Sequence, residues 1–243
     1  MELRARRIGM ITPSSNTVVE PLTARIFAPL GNAVTVHFTR IRVTRIALDE
    51  GSLDQFDDAR MVEAARLLAD AGMDVIAWNG TSGSWKGLAA DRALVARLQA
   101  ETGVPVTTST LDVLEACRAL GVTRCGLATP YLAEIHEAIA RTYGGAGLRI
   151  VASAHLGITV NREFADVTPA QIAALLREVA VPEADAIVTV CTNLAAAALI
   201  DHAERETGRP VVDSLAATAW RTLRLAGVRT PVPGFGCLLA DGG

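Results

Sequence analysis

Cysteine and aromatic residues are scarce in this chain of 243 residues, and the cysteines do not cluster. The four cysteines, at positions 117, 125, 191 and 237, form neither a Cys-x-x-Cys pair nor a group with histidine. A structural zinc site is therefore not expected. Aromatic residues make up 4% of the chain and apolar residues 50%. The core must therefore be built mainly from alanine, valine, leucine and isoleucine.

An excess of basic charge and long apolar runs are also missing. The formal net charge is −3, whereas a nucleic-acid-binding protein usually carries a concentrated basic surface. No apolar run approaches the ~18 residues of a membrane-spanning helix, and Met1–Arg7 lacks the apolar segment of a secretion signal. We therefore expect a cytoplasmic protein that binds neither nucleic acid nor membrane.

Motifs that hold phosphate-bearing cofactors are missing too. The glycine-rich segment Gly144–Gly147 lacks the Lys-Ser/Thr pair of a P-loop, and no dinucleotide-binding fingerprint occurs. The histidines are scattered: His136 and His202 are predicted as exposed helical residues, and His37 and His155 lie in extended segments. The sequence therefore indicates no cofactor and no metal site, and it offers no support for a Ser-His-Asp triad.

Short apolar runs alternate with segments of helical periodicity. Asp74–Asn79 and Ala186–Val190 are nearly continuous apolar runs, typical of strands buried on both faces of a parallel sheet. Arg7–Thr12 and Arg124–Thr129 end in Thr-Pro, which favours a strand followed by a turn. Helices are predicted at 58–71, 86–102, 111–120, 132–142, 169–179, 194–207 and 215–226. This alternation predicts the α/β class with parallel sheets.

The two halves of the chain repeat each other. Asp74–Thr81 (DVIAWNGT) matches Asp185–Thr192 (DAIVTVCT), and ETGVPV at 101–106 matches ETGRPV at 206–211. A duplicated chain folds into two similar lobes, with a cleft near the axis that relates them. Equivalent residues of the two lobes then face each other across the cleft.

The repeat also suggests where the lobes begin and end. We predict a first α/β lobe formed by residues 1–108 and completed by 214–243, and a second α/β lobe formed by residues 109–213. Ligands of parallel sheets bind beyond the carboxyl ends of the strands. The interlobe cleft is therefore the predicted site.

Cys191 and Gly80 occupy equivalent positions in the repeat, each in a turn between a strand and a helix. One lobe thus offers a thiol where the other has no side chain, and Cys191 is the candidate catalytic acid or base. A helix N-terminus at this turn lowers the pKa of a thiol, whereas burial and a nearby negative charge raise it. The alternative is structural: free cysteines are usually small buried residues, and a glycine simply lets the backbone turn.

Polar residues around these turns are the candidate ligands of a substrate carboxylate. Backbone N–H groups at helix starts favour anions, and hydroxyl and amide groups can add donors. Asn16 has an alternative interpretation as a helix N-cap. The predicted substrate-binding residues are Gly80, Thr81, Ser82, Tyr131, Thr192, Asn193, Asn16 and Asn161.

These residues resemble the aspartate/glutamate racemase superfamily over nearly the whole chain. The resemblance implies two pseudo-symmetric α/β lobes, a site between them and no cofactor. In typical members a cysteine from each lobe flanks the substrate, and one removes a proton that the other returns. Here the first of these cysteines is replaced by Gly80.

Two branches of that superfamily are the most similar. The arylmalonate decarboxylases are matched by Gly80-Thr81-Ser82, Tyr131, Leu156–Thr159 and the lone Cys191. By this resemblance Thr81, Ser82 and Tyr131 hold the retained carboxylate, and Cys191 protonates the carbanion.

The maleate cis–trans isomerases are matched by Pro13–Thr17, Tyr131, Asn161 and Cys191–Asn193. At Gly80, however, that branch carries the nucleophilic cysteine that adds to the double bond. Asn16 and Asn161 would suit a second polar group of the substrate.

We therefore expect an enzyme that acts, without a cofactor, at a carbon next to a carboxylate. The first expectation is decarboxylation of a 2-substituted malonate-like diacid. An isomerase or racemase of a small dicarboxylate is the alternative, and a catalytically silent carboxylate-binding protein is an alternative of another class. The expected partner is a small carboxylate or dicarboxylate substrate, and assembly into a homo-oligomer is left open.

Overall fold

Two four-stranded parallel sheets form the centre of the fold. The computed structural model describes residues 4–46 and 54–241. Its strands are β1 (Arg6–Pro13), β2 (Val34–Ile41), β3 (Val75–Trp78), β4 (Val106–Thr108), β5 (Arg124–Tyr131), β6 (Arg149–Ile158), β7 (Ala186–Thr189) and β8 (Val211–Asp213). The strand order is β2-β1-β3-β4 in the first sheet and β6-β5-β7-β8 in the second. The sequence repeat is thus a repeat of the fold, and the predicted α/β class with two similar parallel sheets is confirmed.

Helices flank both sheets. Within the described residues they are α1 (Val19–Phe27), α2 (Asp58–Asp70), α3 (Gly83–Lys86), α4 (Leu88–Thr102), α5 (Ser109–Ala119), α6 (Ala133–Gly145), α7 (Pro169–Glu178), α8 (Ile200–Thr207), α9 (Ser214–Leu225) and α10 (Cys237–Ala240). Short 3-10 helices lie at Ala28–Ala33, Asp54–Phe56, Asn161–Asp166 and Ala195–Leu199. None of the helices in this part of the chain combines the length and the apolar character that crossing a bilayer requires.

Among the described strands, β2, β4, β6 and β8 were not delimited from the sequence, although His37 and His155 were predicted to lie in extended segments. β2 and β6 are edge strands with many partly exposed residues, so they lack the continuous apolar run that marks a strand buried on both faces. β4 and β8 have three residues each, and a strand of that length is too short for a hydrophobic pattern to be recognised. The strands that were predicted lie inside the sheets.

One aspartate holds the start of the central strands in each half. The Arg7 N–H donates to Asp74 Oδ2 at 2.8 Å, and the Arg124 N–H donates to Asp185 Oδ2 at 2.8 Å. Asp74 and Asp185 are equivalent in the sequence repeat. Their conservation between the halves therefore has a structural cause, because each carboxylate satisfies a backbone donor of the neighbouring strand.

Two helices contact both sheets. α5 follows β4 and also contacts β8, while α9 follows β8 and also contacts β3 and β4. Thr218 Oγ1 donates to Ser109 Oγ at 2.7 Å, and this buried hydrogen bond joins the two helices. α9 thus packs against the first sheet although it follows the second in sequence. The lobe boundaries at residues 108 and 213 stay a prediction.

One predicted helix start was wrong, and another was shifted by two residues. The residues after Cys191 form a turn, then the 3-10 helix Ala195–Leu199, and regular α-helix begins only at Ile200. The predicted helix 86–102 is divided at Gly87, whose φ of 99° ends α3 before α4 begins. Thr192 and Asn193 therefore do not open an α-helix, and no helix macrodipole acts directly on Cys191.

Candidate active site

A small buried cavity, here called the site cavity, lies beyond the carboxyl ends of β3, β5 and β7. Its volume is about 20 Å³, which is room for about one water molecule. Its walls come from both halves of the chain and include eight of the nine predicted site residues: Gly80, Thr81, Ser82, Tyr131, Asn161, Cys191, Thr192 and Asn193. The structure thus brings these residues together, while their roles in binding and catalysis stay a prediction.

Cys191 is almost completely buried in this wall. Its backbone N–H donates to Ser214 Oγ at 3.2 Å. Burial raises the pKa of its thiol to about 12, although hydrogen bonds to the sulfur from the Tyr131 hydroxyl and from the Asn193 and Leu194 N–H groups act in the opposite direction. Burial therefore outweighs these donors, and Cys191 is a neutral S–H at physiological pH.

Tyr131 connects Cys191 to the first half of the chain. Its hydroxyl lies 2.9 Å from Thr81 Oγ1 and is also hydrogen-bonded to the sulfur of Cys191. Burial raises the pKa of Tyr131 well above its ordinary value, so the phenol keeps its proton. Thr81, Tyr131 and Cys191 thus form a chain of neutral donors across the cavity.

Trp78 occupies the space into which a side chain at position 80 would project. A Cβ atom built on Gly80 would lie 2.3 Å from Cζ2 and 2.5 Å from Cε2 of the Trp78 ring. The indole Nε1 donates to Ser82 Oγ at 3.1 Å, and the ring is fully buried. While the ring holds this position, only glycine fits at residue 80.

Ile46, Phe56, Trp78 and Trp85 also line the site cavity, and sequence reasoning missed them. Three edge-to-face contacts connect the rings: Phe56 to Trp78 at 6.3 Å, Phe56 to Trp85 at 6.1 Å, and Trp85 to Tyr131 at 5.3 Å between centroids. The position of Trp78 could have been predicted from the sequence, since residues two apart on an extended chain share a face. That rule places its ring on the side of residue 80.

Asn16 lies outside the cavity lining. Its Oδ1 accepts from the Val18 and Val19 N–H groups at 2.9 Å each, at the start of α1. Its Nδ2 donates to Thr192 Oγ1 at 3.4 Å. The Asn16 oxygen therefore caps the start of α1, as the alternative interpretation proposed. The Asn16 nitrogen instead contacts Thr192, a cavity residue from the other half of the chain.

The two asparagines of the cavity wall are held by neighbouring loops. Asn193 Nδ2 donates to the Asn161 carbonyl at 2.6 Å, and the Thr17 N–H donates to Asn193 Oδ1 at 3.0 Å. Asn161 Nδ2 donates to Ser15 Oγ at 2.7 Å. These hydrogen bonds join the loop after β1 to the loops after β6 and β7, so they fix the cavity wall across the two halves.

His136 is buried, so its prediction as an exposed helical residue was wrong. Its Nδ1 lies 3.0 Å from Thr129 Oγ1, and its ring centroid is 5.2 Å from that of His155. Burial, followed by the charge of His155, lowers the pKa of His136. The two histidines meet because α6 packs on β6, which no local pattern reveals. Neither lines the site cavity.

The other two buried thiols, those of Cys117 and Cys125, do not line the site cavity. Cys117 and Cys125 are buried in the core, and burial raises the pKa of each to about 12. Cys237 lies at the start of α10, where its N–H donates to Glu204 Oε2 at 2.9 Å.

The family model described as arylmalonate decarboxylase matches residues 8–239. This chain belongs to the arylmalonate decarboxylase family. It is 32% identical over 240 residues to the arylmalonate decarboxylase of Bordetella bronchiseptica, with 96% of each chain covered. The predicted resemblance to this part of the racemase superfamily is thereby confirmed.

Solved structures in the same fold include isomerases. The maleate isomerase Iso from Pseudomonas putida S16 superposes with a TM-score of 0.91 at 26% identity, covering 98% of this chain and 100% of that one. A mutant of Nocardia farcinica maleate cis-trans isomerase with a covalently bound succinylcysteine intermediate superposes with a TM-score of 0.88 at 28% identity, covering 97% and 98%. The family resemblance therefore covers both a lyase and an isomerase activity.

Proposed function

We propose that this protein is a cofactor-independent decarboxylase that removes one carboxylate from a 2-substituted malonate-like diacid. The observation that carries the proposal is the Trp78 ring in the place of a side chain at Gly80. Among the described residues that line the site cavity, Cys191 is then the sole thiol. A site with one proton donor suits a reaction that needs one proton delivered to one carbon.

Loss of CO2 breaks a C–C bond and leaves its electron pair on the remaining carbon and carboxylate, as an enediolate. The hydroxyls of Thr81, Ser82 and Tyr131 supply donors for its oxygens. Ser82 already accepts from the Trp78 indole, so its own proton is free to face the substrate. Preorganised donors of this kind are typically worth roughly 3–4 kcal/mol each in the transition state.

The aromatic wall suits the departing carboxylate. Phe56, Trp78 and Trp85 present apolar surface to the site cavity. A carboxylate held against such surface is destabilised by the loss of its hydration. This penalty disappears as the group becomes neutral CO2, so C–C cleavage is favoured. The carboxylate that stays is the one that contacts Thr81 and Tyr131.

Cys191 completes the reaction as a general acid. Its raised pKa keeps the thiol protonated, so an S–H proton is available for the carbanion carbon. The C–H bond forms as the S–H bond breaks, and the buried thiolate then recovers a proton from water. Delivery from one side yields one enantiomer in excess when the carbon carries two different substituents besides the carboxylate.

An isomerase or racemase of a small dicarboxylate is the second candidate. Asn161 and Asn193 line the site cavity, and amides there suit a second carboxylate. The relative with a bound succinylcysteine forms a covalent bond to a cysteine, and Gly80 offers no second thiol for such a step. A catalytically silent carboxylate-binding protein is the third candidate.

One experiment separates these candidates. The protein is incubated in D2O with phenylmalonate, methylmalonate, maleate and a chiral 2-arylpropionate, and the products are followed by NMR. We expect CO2 release from a malonate and a single deuterium at its C2 carbon. Conversion of maleate to fumarate would favour the isomerase instead, deuterium exchange of the arylpropionate would favour the racemase, and no change in any compound would favour the silent binder.

A further inference from the structure

The indole of Trp85 lines the site cavity and carries a donor without an acceptor in the described part of the chain. The side chain is only 9% exposed, so water outside the protein does not reach its Nε1–H. An indole N–H donates and never accepts. Buried donors are normally paired. An unpaired one in a residue of the cavity wall therefore indicates an acceptor that arrives with a ligand.

Two neighbouring rings hold the Trp85 indole in place. It makes edge-to-face contacts with Phe56, at 6.1 Å between ring centroids, and with Tyr131, at 5.3 Å. Both neighbours also line the site cavity. The indole is thus fixed before a substrate enters, as a donor that stabilises a transition state must be. Its contact with Tyr131 puts it on the side of the cavity where the proposed function places the retained carboxylate.

The hydroxyl protons of Thr81 and Tyr131 are already engaged within the protein. The Tyr131 hydroxyl is hydrogen-bonded to the Cys191 sulfur and lies 2.9 Å from Thr81 Oγ1. Under the proposed function Cys191 keeps its S–H proton for the substrate carbon. Tyr131 must then donate to the sulfur, and Thr81 must donate to the Tyr131 oxygen. These two hydroxyls can turn to an enediolate oxygen only by giving up those bonds.

Ser82 and Trp85 offer donors that need not give up another bond. Ser82 Oγ accepts from Trp78 Nε1 at 3.1 Å, and that bond leaves the serine proton unused. The two tryptophans of the cavity wall therefore differ: the Trp78 N–H is bound within the protein, whereas the Trp85 N–H is not. A carboxylate has two oxygens, and the Ser82 and Trp85 protons supply one donor for each.

We propose that Trp85 is a substrate-binding residue whose indole N–H donates to one oxygen of the carboxylate that the substrate retains, while Ser82 donates to the other. This role rests on the proposed function, because it assumes that the retained carboxylate lies beside Tyr131. As CO2 leaves, negative charge grows on that carboxylate and the hydrogen bond strengthens. The departing carboxylate is the wrong acceptor, since a donor there would stabilise the ground state and slow C–C cleavage.

NMR of the tryptophan side chains tests this role without turnover. The chain has three tryptophans, at positions 78, 85 and 220, so protein labelled with ¹⁵N-tryptophan gives three indole N–H signals. Trp78→Phe and Trp220→Phe assign two of them, and Trp85 follows by elimination. The wild type is titrated with phenylacetate and with propionate, which has no aromatic ring to shift signals by itself. We expect both carboxylates to move the Trp85 proton signal downfield and to leave that of Trp220 in place.

Trp85→Phe and Trp220→Phe form a matched pair of variants. Trp220 is also buried and its Nε1 also lacks a partner in the described chain, yet it does not line the site cavity. Each variant keeps an aromatic ring and loses one N–H. We expect Trp85→Phe to weaken phenylacetate binding by about tenfold, as for one hydrogen bond to a charged group, and to lower kcat on a malonate substrate by about 100-fold. Trp220→Phe should change neither, and circular dichroism establishes that each variant is folded.

Three results would overturn the role of Trp85. They are a Trp85 signal that neither carboxylate moves, equal losses in the two folded variants, and a kcat of Trp85→Phe above that of the wild type, which would place the N–H on the departing carboxylate. The proposed function fails differently, through the absence of CO2 release from phenylmalonate. Since the titration uses the wild type and requires no catalysis, the two failures are distinguishable.

Discussion

A side chain at residue 80 and the indole of Trp78 compete for one place, since a Cβ atom on Gly80 would lie 2.3 Å from Cζ2 of the ring. The identities of the two residues therefore depend on each other. The glycine admits the ring, and the ring keeps the first half of the chain without an acid or base opposite Cys191. Under the proposed function, this pair leaves Cys191 as the single proton donor.

Replacement of Cys191 by alanine is expected to abolish turnover. General acid catalysis contributes typically ~10²–10⁴-fold, so CO2 release from a substituted malonate should fall by at least about 100-fold. The variant should remain folded by circular dichroism. Cys117→Ala is the control, because this thiol is buried away from the site, and it should keep its activity. Substantial activity of Cys191→Ala would remove the thiol from the mechanism.

Gly80→Cys is expected to fail as a gain-of-function variant while Trp78 is present. The new side chain overlaps the ring, and overpacking of this kind costs about 1–3 kcal/mol in the free energy of unfolding. The double variant Trp78→Ala/Gly80→Cys has room for the thiol and should exchange the C2 proton of a 2-arylpropionate for deuterium. Equal exchange by the single variant would show that the Trp78 ring moves aside easily. That result would contradict the proposal that Trp78 excludes a side chain at residue 80.

Tyr131→Phe should lower kcat far more than it changes KM. The hydroxyl contacts Thr81 Oγ1 at 2.9 Å and is hydrogen-bonded to the Cys191 sulfur. Loss of one preorganised donor typically costs about 10²–10³-fold in kcat. Steady-state kinetics on the best malonate substrate measure the two constants. Tyr143→Phe serves as a comparison, because Tyr143 is a fully buried tyrosine that does not line the site cavity. An equal loss in both variants would argue for a general packing effect.

Stability should fall as the pH rises from about 4 to about 7, because of Asp213. Burial raises the pKa of its carboxyl from 3.8 to about 7, so the folded state holds a proton that the unfolded chain releases in this range. One pKa unit corresponds to ~1.4 kcal/mol, which makes the contribution of Asp213 on the order of 4 kcal/mol. The contribution is present below pH 4 and is lost as the pH approaches 7.

Asp213→Asn tests this dependence. Asparagine can still accept from the Leu215 and Ala216 N–H groups that Asp213 Oδ1 binds at the start of α9, so the helix cap is kept. Urea unfolding between pH 4 and 8 should give a flatter profile for the variant. The raised pKa values of Asp91 and Asp112 act in the same direction, so a smaller slope remains. A variant as pH-sensitive as the wild type would contradict the assignment.

Local patterns sufficed for the inner part of the fold. The strands β3 and β7 are buried on both faces, and their continuous apolar runs were recognised for that reason. The edge strands β2 and β6 were not delimited because their side chains are partly exposed, and the edge strands β4 and β8 because they have three residues each. The turn after Cys191 was taken for a helix start, although α-helix begins only at Ile200.

The sequence by itself determined the duplication, the α/β class and the pairing of Cys191 with Gly80, because repeated residues fold into repeated strands with equivalent ends. Only the tertiary structure decided what fills the space beside Gly80, how Asn16 is used and which cavity adjoins the thiol. Those outcomes depend on contacts between residues far apart in the chain. Burial, which sets the protonation of Cys191, likewise arises only when both halves close around it.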